Sequence, residues 1–160
     1  MTTLHLTVGL PCSGKTTLAR QLEERYSALR LTPDEWHTRL YGQDINDVNH
    51  EKRHDLVESM LWEVAARVLV LGVDVILDFG CWVHSQRDSM RFRASQLGAD
   101  FKIHFLDASD EVLLARLAER NAQLPKGAVY IPESKLKEWA TIFEPPFPEE
   151  LEYSCIYHQS

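Results

Sequence analysis

Short aliphatic runs alternate along the chain with stretches whose apolar residues recur every three or four positions. Leu4 to Val8 is a partly β-branched run that stops at Gly9, and after Gly14 the apolar residues Leu18, Ala19 and Leu22 follow helical spacing. The pattern predicts strand, glycine loop, helix. A second run, Leu29 to Leu31, meets Thr32-Pro33-Asp34-Glu35, where Thr32 is expected to cap a helix, Pro33 to occupy its first position and Glu35 to close a capping box. From about Asp47 to Leu71 one long amphipathic helix is expected, carrying Val57, Met60, Leu61, Val64 and Val68 and stopped by Gly72.

Val73 to Leu77 is almost continuously aliphatic, as a strand covered on both faces requires, and it runs into Asp78-Phe79-Gly80. A helix over Ser85 to Leu97, a strand over Phe101 to Leu106 and a helix capped by Ser109-Asp110-Glu111 come next. After a loop containing Lys126-Gly127, Pro132-Glu133 opens a last short helix, Pro145 to Pro148 interrupts it, and Tyr153 to Tyr157 reads as a final strand. Alternating β and α predicts one α/β domain over residues 1–160: a three-layer sandwich with a mostly parallel sheet of about five strands, helices on both faces, and function at the strand C-terminal ends.

Composition narrows the function. The 160 residues include 44% apolar and 26% charged positions, as in an ordinary globular protein. The net charge of −7 repels an extended phosphate backbone, so nucleic acid is disfavoured as a partner. Cys12, Cys81 and Cys155 contain no CxxC pair, which suggests a reducing compartment rather than a disulfide framework. The start lacks a basic segment ahead of its short apolar stretch, and the run Val64 to Leu77 is broken by Arg67, Gly72 and Asp74. A cytoplasmic protein without a membrane span is expected, as a monomer or weak homodimer.

One motif stands above this background. Gly9-Leu10-Pro11-Cys12-Ser13-Gly14-Lys15-Thr16 fits G-x-x-x-x-G-K-[ST] between an expected strand and an expected helix. Glycines at these positions let backbone N–H groups surround phosphate oxygens while the helix N-terminus adds partial positive charge. The nucleotide site is therefore placed on Gly9, Pro11, Cys12, Ser13, Gly14, Lys15, Thr16 and Thr17, with Lys15 on the β and γ phosphates and Thr16 on Mg²⁺. The Asn/Thr-Lys-x-Asp tetrapeptide of guanine-specific GTPases is absent.

With Leu6 to Thr17, Leu31 to Trp36, Val75 to Asp78 with Arg87 downstream, Leu114 to Arg120, and the tail Phe143 to Glu150, the chain resembles small P-loop kinases. The group is the polynucleotide-kinase-like and zeta-toxin/chloramphenicol-phosphotransferase-like one, within AAA-type P-loop ATPase domains. The resemblance implies ATP and Mg²⁺ as cofactors and transfer of the γ-phosphoryl group to a hydroxyl. Asp34 matches the acidic residue that orients and deprotonates the acceptor. Arg116 and Arg120, one helical turn apart, match arginines of a lid at about residues 116–130 that stabilise the transferring phosphoryl. Asp78 ends a buried strand where it can hold Mg²⁺ or position the acceptor, and it belongs with Thr16 to the metal site. His37, Asp78, Trp82 and Arg87, with Asp34, make up the acceptor side; Trp36 and Tyr41 line a pocket there or fill core. The chain departs from the group at Phe79-Gly80, where a small polar residue commonly follows the acid.

Two further patterns compete. His50-Glu51-Lys52-Arg53-His54 satisfies H-E-x-x-H, which places two imidazoles on one helix face, but no third ligand follows and Lys52 and Arg53 oppose a bound cation. Arg39, Lys52, Arg53, Arg91 and Arg93 lack the aromatic interleaving of a single-strand groove. Instead Glu144, Glu149, Glu150 and Glu152, with Asp44, Asp47 and Glu51, suggest a cationic small-molecule acceptor of the aminoglycoside-antibiotic kind, as for a resistance phosphotransferase. The alternatives are a polynucleotide or nucleoside 5′-hydroxyl kinase and a nucleotide-binding regulatory module without acceptor chemistry.

Overall fold

The computed structural model describes residues 1–42, 46–124 and 130–160. Asp44, the Lys126-Gly127 loop and that part of the expected lid lie outside the described residues. β1 (Thr3–Val8) is followed by α1 (Lys15–Tyr26), β2 (Leu29–Leu31), α2 (Pro33–Tyr41), α3 (His50–Val70) and β3 (Val75–Gly80). Then come α4 (His84–Gln96), β4 (Asp100–Asp107), α5 (Asp110–Ala122), α6 (Glu133–Ile142), a 3-10 segment at Pro148–Tyr153 and β5 (Ser154–His158). The strands lie in the order β2-β3-β1-β4-β5, with every pair parallel. This is the expected three-layer α/β sandwich.

Side-chain alternation sorts the two faces of the sheet. Leu4, Leu6, Val75, Leu77, Ile103 and Phe105 form one core with Val57, Leu61 and Leu69 of α3 and Ala94 of α4. The opposite face holds Ile76 and Leu106 against Leu18, Ala19 and Leu22 of α1. On that α1 face the strands also carry His5, Thr7, Asp78 and His104, all 6% exposed or less. Polar groups so deep must find partners within the protein, and their partners define the site described below.

Most element boundaries fall where the patterning predicts, and the differences have local causes. α3 begins at His50 rather than near Asp47, because the Asp47 carboxylate accepts the Asn49 N–H at 2.8 Å and turns the chain before the helix starts. Gly72, at φ +94°, ends the same helix as expected. The capping box at Thr32 does not form, since Thr32 makes no side-chain cap bond. Its hydroxyl accepts from Arg30 Nη1 at 2.7 Å and donates to Asp78 at 3.1 Å, while Glu35 pairs with Arg30 at 3.0 Å. Ser109 does cap α5, accepting the Val112 N–H. No helix among the described residues is long and apolar enough to cross a membrane.

Candidate functional site

Leaving β1, the chain makes the glycine loop and turns into α1 at the C-terminal edge of the sheet. Two glycines make this path possible. Gly14 sits at φ +97° as the N-cap of α1 and supplies no side chain to the cap, so the first N–H groups of the helix stay open to a ligand. At Gly9 a Cβ would stand 2.6 Å from Ser13 Oγ, closer than packing permits. Cys12 takes the left-handed conformation at φ +70° without being a glycine. Ser13 is fully buried and its Oγ has no partner among the described residues. Pro11 is partly buried, and Thr17 faces outward from the first turn of α1.

Lys15 and Thr16 are drawn towards the end of β3. Thr16 Oγ1 donates to Asp78 Oδ2 at 2.8 Å, Thr7 Oγ1 donates to Asp78 Oδ1 at 2.7 Å, and Thr32 completes a set of three hydroxyls on one carboxylate. Lys15 Nζ donates to the Leu10 carbonyl at 3.1 Å. Burial lowers the Lys15 pKa from its ordinary value, against the opposing pull of the Asp78 and Asp34 carboxylates. Beside it, a Cβ at Gly80 would lie 3.5 Å from Lys15 Cε and 3.4 Å from Trp82 Nε1, so the indole flanks the lysine. Trp82 also packs on Trp139 of α6, with ring centroids 5.9 Å apart.

Asp34 stands in the first turn of α2 with its side chain 88% exposed. One carboxylate oxygen meets His54 Nε2 at 3.1 Å, and the other imidazole nitrogen of His54 meets Glu58 at 3.1 Å. The hydrogen bond from His54 is the main force holding the Asp34 pKa below its ordinary value, with Lys15 and His37 adding to it. The same two carboxylates push His54 up to about 10, which makes it an imidazolium at neutral pH.

Several expected roles need correction. His37 does not face an acceptor: it is 5% exposed, packed among Tyr41, His50 and His54, with Nε2 enclosed. Arg87 is likewise withdrawn, at 1% exposure, because its guanidinium donates to both oxygens of Glu150 and to the carbonyls of Cys81 and Pro145. Glu150, also 1% exposed, bonds His84 as well, so it leaves the acidic cluster expected to attract a cation. Glu144 is partly spent on the His84 N–H. Arg116 holds the loop rather than reaching over it, donating to the Cys12 and Ser13 carbonyls at 3.2 Å and to Gln159. Arg120, Lys15 and Arg116 all act on the Cys12 thiol, whose pKa burial raises and these cations pull back, so Arg120 stays near the loop.

The H-E-x-x-H histidines do share a helix face, with ring centroids 6.1 Å apart. Both ring nitrogens of His54 are nevertheless taken by carboxylates, and no group of three or more metal-ligating side chains occurs among the described residues. Sequence reasoning missed Thr7 and Glu58, and it singled out Thr32 only as a helix cap and His54 only within the H-E-x-x-H pattern. For Thr7 there was a signal, a polar position inside a strand of a sheet buried on both faces; Glu58 carried none.

A family model described as an AAA domain matches residues 4–146. The chain belongs to this AAA domain family. No curated protein matches the sequence. Among solved structures, this AAA domain is similar to a Chloroflexus aurantiacus protein solved as a candidate kinase, at TM-score 0.77 and 21% identity, covering 98% of this chain and 88% of that one. Chaetomium thermophilum Kti12 in complex with ADP-AlF3 superposes at TM-score 0.73 and 21% identity, over 98% and 88%. A sugar kinase from Janibacter sp. HTCC2649 superposes at 0.66 and 20%, over 99% and 86%. At this level of identity the likeness establishes the P-loop kinase-like fold of the AAA domain.

Proposed function

We propose that the chain is an ATP- and Mg²⁺-dependent phosphotransferase that moves the γ-phosphoryl group to a hydroxyl of a small molecule. The observation that carries this reading is an exposed, ionised Asp34 whose charge is felt by the loop lysine, on the same strand-end edge as Asp78. A nucleotide-only module needs the loop and Asp78 but has no use for a second carboxylate open to solvent.

Phosphoryl transfer has a loose transition state, so the protein contributes alignment and charge neutralisation more than covalent chemistry. Lys15 and the open N–H groups of α1 hold the phosphates. Thr16 Oγ1 and Asp78 Oδ2, 2.8 Å apart, are hard oxygen ligands of the kind Mg²⁺ takes, directly or through water. When bound there, Mg²⁺ neutralises phosphate charge. Asp34 accepts the proton of the acceptor hydroxyl as its oxygen bonds to the γ-phosphorus, the bond from that phosphorus to the bridging oxygen breaks, and ADP departs with the electron pair. Arg120, whose charge acts on Cys12 of the loop, would balance charge on the transferring group. Trp82 supplies an apolar wall next to Lys15.

An aminoglycoside-type acceptor keeps less support than the sequence alone lends it, because Glu150 is consumed by Arg87 and Asp47 pairs with Arg53 at 3.3 Å. The decisive experiment incubates the protein with Mg-ATP and aminoglycosides, other hydroxylated antibiotics, sugars, nucleosides and 5′-hydroxyl oligonucleotides, and looks by mass spectrometry for an added phosphoryl group. Addition to a small molecule supports the proposal. Addition only to oligonucleotides, or ATP binding without transfer to anything, overturns it.

A further inference from the structure

The H-E-x-x-H pattern on α3 is not explained by metal chemistry, yet its second histidine occupies the most consequential position near the exposed carboxylate. His54 bridges two acids on different helices: Nε2 lies 3.1 Å from Asp34 Oδ1 on α2, and Nδ1 lies 3.1 Å from Glu58 Oε1 one turn along α3. An imidazole with a carboxylate on each nitrogen donates through both and carries a proton on each. Asp34 Oδ2 has no hydrogen bond among the described residues, so one oxygen is anchored and the other is left towards solvent.

We propose that His54 is the positioning residue of the Asp34 base, a doubly donating imidazolium that Glu58 braces so that a single carboxylate oxygen is presented to the acceptor hydroxyl. This rests on the assignment of Asp34 as the base. Short carboxylates on a helix N-terminus rotate freely unless something holds them, and alignment is most of what a loose transition state asks of its base. The brace also explains a pair of acids and a histidine that solvent alone would have satisfied. The titratable groups around His54 are Asp34 and His37 on α2 and His50 and Glu58 on α3, with Lys15 acting on Asp34 from the loop. Burial, with the neighbouring His50 and His54 imidazoles, lowers the His37 pKa from its ordinary value, so His37 does not compete with His54 as a cation on Asp34 in the neutral range.

The test reads the carboxylate and the imidazole separately from catalysis. In the full-length protein, ¹⁵N chemical shifts of His54 are expected to show both nitrogens protonated at pH 8, and the Asp34 carboxyl ¹³C signal is expected to titrate at higher pH in His54→Ala than in the wild type. A neutral His54 at pH 8, or an Asp34 titration unmoved by His54→Ala, overturns the proposal. Phosphoryl transfer from Mg-ATP is then followed with water as the acceptor. His54→Ala should lower kcat about tenfold or more with the KM for ATP within about twofold, and should move the acid limb of the rate profile to higher pH; His54→Gln, which keeps a donor towards Asp34, should recover most of the loss. An unchanged kcat in His54→Ala beside a dead Asp34→Asn overturns the positioning role alone. A fully active Asp34→Asn removes the base assignment and this proposal with it, while the NMR result still reports whether the brace exists.

Discussion

Thr16 Oγ1 and Asp78 Oδ2, 62 residues apart in sequence, stand 2.8 Å apart across the groove between α1 and β3. This contact ties the last residue of the phosphate loop to the end of the central sheet. Thr7 and Thr32 fix the same carboxylate from the neighbouring strand β1 and from the end of β2. Asp78 is therefore oriented before any ligand arrives. Thr7→Val keeps the shape of the side chain and removes one donor from a buried carboxylate, so it should cost about 1.5–3 kcal/mol of stability in urea unfolding. An unchanged unfolding midpoint would mean that the carboxylate is held well enough by the other two hydroxyls.

The glycine loop should be intolerant at two points for two different reasons. Gly14→Ala forces a residue with a Cβ to φ +97°, at roughly 1–2 kcal/mol, and Gly9→Ala drives a methyl group into Ser13 Oγ. Calorimetric titration should show ATP affinity falling about tenfold or more in each. Wild-type affinity in both variants would show that the loop is not the nucleotide site.

Asp34→Asn preserves size and hydrogen bonding but cannot accept the proton. Transfer should fall by about 10² to 10⁴, with ATP affinity within about threefold of wild type. Parallel loss of binding and turnover would assign Asp34 to the nucleotide instead of the acceptor.

Arg87 and Glu150 make a buried, bidentate pair that straps the C-terminal segment to α4. Removing one partner strands the other charge: Arg87→Met should destabilise by about 3–5 kcal/mol, and adding Glu150→Leu should recover most of that. If Arg87→Met instead left the thermal midpoint intact and reduced transfer, the acceptor role expected from the sequence would be restored.

A buried polar chain crosses the sheet from Asp74 through His5 and His104 to Tyr157, with contacts of 3.4, 3.0 and 3.0 Å. Burial lowers His5 and pushes His104 down to about 3, whereas both titrate near 6.5 in the unfolded chain. The folded state therefore holds them neutral. Their contribution is complete above about pH 6.5 and declines as the pH falls below it, for His104 down to about pH 3, by up to about 1.4 kcal/mol per pH unit. Urea midpoints measured from pH 7.5 to 4 should fall accordingly, with a shallower slope in His104→Gln. Equal slopes in the two proteins would show that carboxylates alone drive the acid sensitivity.

Much of the architecture was legible because it is written locally. Aliphatic runs of strand length, helical spacing of apolar residues and stops such as Gly72 each depend on a few consecutive residues, and they place nearly every element. Thr32 shows where this reading stops. Its position before Pro33 is a sound N-cap by sequence, but Arg30 and the buried Asp78 carboxylate engage the same hydroxyl, because a donor to a buried charge is worth more than a cap on a helix turn open to water. Arg87 shows the same limit for charge. Nothing in its neighbours announces a partner 63 residues away that removes it from the surface.

The phosphate loop belongs to the sequence alone: eight contiguous residues encode a backbone path, and a backbone path needs only the right glycines and a helix to follow. The carboxylate sites do not belong to it in that sense. Which hydroxyls meet Asp78 depends on the register of parallel strands, since a shift of one position turns every side chain to the other face. Whether Asp34 is held, and by what, depends on α2 packing against α3 so that His54 reaches it. Contacts of this kind come from residues distant in the chain, so it is packing, rather than any local pattern, that sets carboxylates held by named partners beside a recognisable phosphate-loop motif.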